Sequence, residues 1–122
     1  MSRFNYADGA TVVNLLAPVS AANTAAATGT GVDLQDYEGK VIITQHHGIG
    51  TGTLDGKIQD SADNASFADV SGATFTQETT TAGIQKLALN PKEIRRYIKY
   101  VGTVVTGPQI VGVSMAGMKK TV

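Results

Sequence analysis

Short runs of β-branched and apolar residues, separated by turn-forming residues, set the rhythm of this chain. Lys40 to His46 reads as a buried strand, because Val41, Ile42 and Ile43 are all β-branched. The run Gly48-Ile49-Gly50-Thr51-Gly52 then reads as a hairpin connection into a strand at Thr53 to Gln59. Asp60 to Ser66 is a run of turn formers. Phe67 to Val70 and Ala73 to Gln77 read as short strands joined at Ser71-Gly72, and Ile84 to Leu89 alternates in strand fashion. Asn90, Pro91 and Glu93 suit the cap, first and third positions of a single helical turn. Tyr97 to Val105 and Pro108 to Met118 complete the set of strands. No long helical period exists, and fourteen scattered glycines oppose one. The expectation is an all-β chain, a single antiparallel β-sandwich of jelly-roll or immunoglobulin-like type.

Residues 1–31 break the rhythm. Thr11 to Leu16 could form a short strand, but Ser20 to Gly31 consists of small residues with no apolar face to anchor a helix. That segment reads as an extended arm or an irregular edge strand. The expected division is therefore an N-terminal arm over 1–31 and a sandwich over 32–122. The arm would reach a partner through Arg3, Phe4, Tyr6, Leu15 and Leu16, since aromatic and large aliphatic anchors dominate interface energy. Deleting residues 1–24 should then leave a folded core.

Composition narrows the function. At 122 residues the chain is one domain with room for a core. Charged residues make up 16% and cysteine is absent, which removes disulfides, thiolate metal sites and thiol nucleophiles. The longest apolar runs fall well short of a membrane span. Formal charge is zero, which argues against a broad phosphate-binding footprint. That zero is segregated: residues 1–90 carry −5 and residues 91–122 carry +5. The basic part contains Lys92, Arg95, Arg96 and Lys99, a cluster suited to an acidic neighbour or an unlike face of another copy. Tyr97 and Tyr100 within it could stack nucleic-acid bases or cover the core edge. If the segregation survives folding, the protein has two unlike faces.

Candidate chemistry is thin. The glycine loop at 48–52 lacks the helix and the acidic residue of a dinucleotide fingerprint. His46 and His47 are adjacent strand residues, so they point to opposite faces and do not chelate one metal together; both read as facing solvent or a partner. Asp60, Asp63, Asn64 and Asp69 could offer oxygen ligands to calcium, but Asx turns use the same residues. No Gly-x-Ser-x-Gly elbow is present, and no pair of carboxylates stands out. The expectation is a protein with no catalytic residue, no cofactor and no metal.

The order of residues from Val32 onward resembles a known group. It runs through Val32-Asp33-Leu34, Tyr37-Glu38-Gly39-Lys40-Val41, Gly52 to Ser61, Phe67-Ala68-Asp69-Val70 and Arg95 to Val101, ending in a Val-rich strand. Over positions 32–118 this resembles the small β-sandwich proteins of tailed-bacteriophage structural genes, several of which are capsid decoration (cement) proteins. The resemblance implies a non-enzymatic virion protein on the outer capsid surface. Its partners would be the major capsid protein and other copies of itself, with a trimer favoured. The rival expectation is a glycan- or calcium-binding module of a phage tail or fibre.

Overall fold

Val41, Ile43, Gln45 and His47 alternate inward along one strand, and that period of two organises half of the core. In the computed structural model, which describes residues 9–120, eight strands follow one another. They are β1 (Ala10–Ala21), β2 (Val32–Asp33), β3 (Tyr37–His47), β4 (Thr53–Ser61), β5 (Ala68–Thr74), β6 (Gly83–Leu89), β7 (Tyr97–Val105) and β8 (Gln109–Lys119). Two four-stranded antiparallel sheets form, ordered β1-β8-β3-β6 and β2-β7-β4-β5. The pairs β1–β8, β2–β7, β3–β6 and β4–β5 nest like one long hairpin folded over itself. β8–β3 and β7–β4 pairing closes each sheet. This is jelly-roll topology, so of the two sandwich types expected, the strand order selects this one. No helix among the described residues is long and apolar enough to cross a membrane.

The core lies between the sheets. Leu54, Ile58, Ile98 and Tyr100 from one sheet meet Leu15, Val41, Ile43, Val113 and Met115 from the other. Tyr100 is the largest fully buried side chain, and its placement depends on glycine. Gly56 and Gly102 are register partners on β4 and β7. The Tyr100 ring lies over both, with its carbons 2.8 and 3.0 Å from where a Cβ on each would sit. Two missing side chains thus make room for one ring. Its hydroxyl crosses to the other sheet and donates to Gln45 Oε1 at 2.5 Å. Burial raises the Tyr100 phenol above its ordinary value, with the charge of Asp55 adding to the effect.

Over residues 10–31 the structure corrects the expectation of an extended arm, while the short strand expected at Thr11 to Leu16 is present. Residues 10–21 are β1, the edge strand beside β8. Register shifts between Asn14 and Leu16, and again before Val19, break the period of two, so Leu15 and Leu16 both face the core. They are buried at 2% and 8% exposure and are core residues, not partner anchors. The small-residue stretch also packs inside. Asn23 caps a turn by accepting from the Ala26 amide at 2.9 Å, and Gly29 N donates to the Tyr100 carbonyl at 2.9 Å. Gly102 N donates to the Ala27 carbonyl at 3.0 Å, and Ala27 is fully buried. Alanine and glycine here permit close approach to β7. Removing residues 1–24 would strip the β8 edge and uncover the core, so a folded remainder is no longer expected.

Other departures are local. Residues 48–52 join β3 to β4 in the opposite sheet, so they form an inter-sheet connection and not a hairpin. Gly52, at φ 80°, passes so close to the Val105 and Thr106 carbonyls that no Cβ fits. The two short strands expected around Ser71-Gly72 are one strand, β5, whose register on β4 shifts between Thr74 and Asp69. Asn90 caps a turn through Lys92 N at 3.0 Å, but no helical turn develops.

Candidate functional site

Period-two alternation also fixes what the sheets show to solvent. On the outer face of the β1-β8-β3-β6 sheet, three rows cross the strands. They are Val12–Ala116–Ile42–Ala88, Asn14–Ser114–Thr44–Lys86, and Gly112–His46–Ile84. Lys86 is the only formally charged residue in these rows. Val12 and Ile84 are about two-thirds exposed, and Ile110, near the start of β8, is nearly half exposed. Small side chains flatten the middle. A depression of about 490 Å³ opens over Gly112, walled by Asn14, Pro18, His46 and Ile110. A sparsely charged, flat face carrying large exposed aliphatics is the chemistry of a contact surface.

The opposite sheet is dressed differently. Lys57 pairs with Asp69 at 3.0 Å, Gln59 donates to Asp69 at 2.8 Å, and Gln77 donates to Asp55 at 3.0 Å. Lys99 Nζ sits 4.4 Å from the Phe67 ring centre. Hydrogen bonds from Gln59 and Lys57 hold the Asp69 carboxyl below the usual carboxylate range. The two faces are therefore unlike, but the division is polar against apolar and not the acid against base that surviving charge segregation would have produced.

The acid–base segregation does not survive folding. β7 lies between β2 and β4, which brings the basic cluster against early carboxylates. Arg95 donates twice to Asp60 Oδ1, from Nε at 3.0 Å and from NH2 at 2.8 Å. Arg96 forks onto Asp33 at 3.0 and 2.8 Å while stacking 5.0 Å from the Tyr97 ring centre. The Arg96 hydrogen bond is the main cause that lowers the Asp33 carboxyl below its ordinary value. Arg95, Arg96 and Lys99 are thus committed within the chain. Arg3, Phe4 and Tyr6 lie outside the described residues. Tyr100, being buried, is not placed to stack bases. A second depression of about 540 Å³, near the start of β3, is lined by Leu34, Tyr37, Ile94, Lys92, Arg96 and Lys120.

The oxygen ligands considered for calcium are separately engaged. Asp60 holds Arg95 and Asp69 holds Lys57 and Gln59. Asp63 Oδ1 accepts from the amides of Ala65 and Ser66, both at 3.0 Å, and from the Ser61 hydroxyl at 2.9 Å. Those bonds pull the Asp63 carboxyl down to about 2. Among the described residues, no three His, Asp or Glu side chains gather where a metal could sit.

The histidines do point to opposite faces. His46 is exposed at the wall of the Gly112 depression, in keeping with a solvent or partner contact. His47 is not: it is buried at 3% exposure. Its Nδ1 lies 3.0 Å from the Thr81 carbonyl, and its Nε2 contacts Gln109 Oε1. Gln109 Nε2 donates to the Thr51 carbonyl at 2.6 Å. Sequence reasoning missed this polar cluster, although the inward parity of Val41 and Ile43 already signalled it.

No family model and no curated protein sequence matches the chain. Among solved structures, the fold is similar to that of the SPBc2 prophage-derived protein YomS. The TM-score is 0.57 at 8% identity, over 90% of this chain and 93% of that one. The Eiger TNF of S. frugiperda aligns with a TM-score of 0.46 and 12% identity, over 94% and 88% of the two chains. A protein of Bacillus endospore appendages, which form disulfide-linked pili, aligns at 0.39 and 10% over 92% and 86%. The similarity to YomS extends over most of both chains and is a similarity of fold.

Proposed function

We propose that this protein is a non-enzymatic structural component of a phage virion. It decorates and stabilises the capsid by binding the outer surface of the major capsid protein. The observation that carries the proposal is the outer face of the β1-β8-β3-β6 sheet, flat and nearly uncharged, with Val12, Ile84 and Ile110 exposed. The fold shared with a prophage-derived protein supports it, as does the sequence resemblance over 32–118. The face meets the shell as a platform, with Ile84 and Val12 as anchors and small residues allowing close approach. Copies of the chain assemble over junctions between capsid subunits, in trimers.

The test uses capsids assembled from a major capsid protein of the genome that encodes this chain. Ser114→Arg and Ala88→Arg place long cations on the platform. Cryo-electron microscopy should show density for the parent on the shell and none for these variants, while Lys99→Ala binds normally. Normal occupancy by both arginine variants would overturn the assignment of this face. Absence of the parent from the shell would overturn the function.

A further inference from the structure

The buried His47 faces two acceptors whose roles cannot be exchanged. Nδ1 lies 3.0 Å from the backbone carbonyl of Thr81, which only accepts. Nε2 meets the side chain of Gln109, whose amide is itself oriented. Gln109 Nε2 donates to the Thr51 carbonyl at 2.6 Å, so turning the amide would set oxygen against oxygen. Oε1 therefore points at His47. A neutral imidazole has one N–H and satisfies one of the two oxygens, leaving a lone pair against the other. An imidazolium donates to both.

The contacts join segments distant in sequence. Thr81 belongs to the connection before β6, Thr51 to the connection between β3 and β4, and Gln109 opens β8. Gly50 packs on Gln109 so closely that a Cβ would lie 2.5 Å from Oε1. Gly48 N and Thr51 N donate to the Ile110 and Pro108 carbonyls, both at 2.8 Å.

Charged neighbours of His47 are few. On β3, His46 faces the opposite side. Before β6, Glu78 has its carboxylate beside Gly83, the register partner of His47, and accepts from Gln85 Nε2 at 2.9 Å. On β6, Lys86 stands on the outer face, across from Thr44. Residues 48–52 and 109–114 carry no titratable side chain.

We propose that His47 is a proton-sensitive clasp, which when doubly protonated ties the Thr81 connection and, through Gln109, the Thr51 connection to the end of β3. Loss of one ring proton removes one of the two ties and loosens the rim that carries Ile49, Ile84 and Ile110. Imidazole is the side chain whose charge ordinarily changes between about pH 5 and 8, which sets the range for the test.

The test has two arms. Long-range nitrogen–proton NMR of the intact protein should show both His47 ring nitrogens protonated at about pH 6 and amide exchange at Thr51 and Ala82 slowed there. At about pH 8.5 the same amides should exchange several-fold faster. The second arm compares melting temperatures of the parent and His47→Gln. The parent's advantage should be largest at acid pH and shrink as pH rises, whereas His46→Gln should follow the parent throughout. A singly protonated His47 at about pH 6, or a parent advantage independent of pH, would overturn the clasp. Should His47→Gln not fold, the NMR arm decides alone.

Discussion

Placing one methyl group on Gly56 tests the inter-sheet packing directly. A Cβ at that position would lie 2.3 Å from Gln45 Oε1, 2.5 Å from the Tyr100 hydroxyl and 2.8 Å from a Tyr100 ring carbon. The ring is confined, because Gly102 bounds its other edge and Phe75 packs 6.1 Å away between centroids. Overpacking of this kind costs about 1–3 kcal/mol. Displacing the ring also breaks the bond from Tyr100 to Gln45, and leaving a buried acceptor unmet costs about 1–3 kcal/mol more. Alanine recovers about 0.5–1 kcal/mol of backbone entropy relative to glycine. The net loss expected for Gly56→Ala is about 3 kcal/mol, a large share of the roughly 5–15 kcal/mol of a typical domain.

Urea unfolding followed by tyrosine fluorescence reads this as a midpoint lower by about 2 M, for a slope near 1.5 kcal/mol per molar. Tyr100→Phe alone should cost about 1–3 kcal/mol, through the unmet Gln45 oxygen. The double variant should lose less than the sum by about 1 kcal/mol, because the hydroxyl that clashes with the new methyl is gone. An unchanged midpoint for Gly56→Ala, or strict additivity, would refute the account of Tyr100 as a pillar seated over two glycines.

Leu15→Ala should cost about 2–5 kcal/mol by thermal unfolding, as a buried leucine does and a partner anchor does not. Gln85 spans the edges of the two sheets, accepting from Thr76 N at 2.7 Å and donating to the Thr76 carbonyl at 2.9 Å; both bonds are exposed, so Gln85→Leu should lose about 0.5–1.5 kcal/mol. The lowered Asp63 carboxyl stabilises the fold above its unfolded value near 3.8, and that contribution fades as pH falls towards 2. Carboxyl NMR should place its midpoint near 2, with the Ala65 and Ser66 amides shifting together. Arg96→Met should cost no more than about 1 kcal/mol, because both partners are over a third exposed and solvent screens the pair.

How far the fold was legible depends on where period two holds. β7 matches its expected bounds, Tyr97–Val105, because Ile98, Tyr100 and Gly102 face in with strict alternation. β3, Tyr37–His47, contains the predicted run Lys40 to His46 and begins three residues earlier. β1 was legible in part: the short strand expected at Thr11 to Leu16 lies within it, but its register shifts turn adjacent leucines inward and hide its continuation to Ala21. The Ala–Thr–Gly stretch misled for another reason. Small residues suit an arm on a partner and close packing on β7 equally, and what separates the two is bonding to β7, as in Gly102–Ala27 and Gly29–Tyr100. The ion pairs of Arg95 and Arg96 with Asp60 and Asp33 depend on which strands flank β7, which is a property of topology and not of local pattern. The outer face was half visible: alternation groups Ile42, Thr44 and His46, but Ile42 is as β-branched as its inward neighbours.

Charge placement separates what holds the fold from what meets a partner. The polar sheet satisfies its own groups: Asp33, Asp60 and Asp69 all have partners within the chain. Each exposed pair contributes at most about 1 kcal/mol, so their larger effect is to keep that face hydrated and unavailable. The apolar sheet has no such internal saturation. Its rows end in Ile84 and Val12, exposed side chains that contribute little to the stability of the isolated chain. Substituting Ser114 or Ala88 on this platform should therefore shift unfolding by no more than about 0.5 kcal/mol. A large effect on attachment with a negligible effect on stability is the signature of an interface. Equal losses of both would instead make the platform part of the fold.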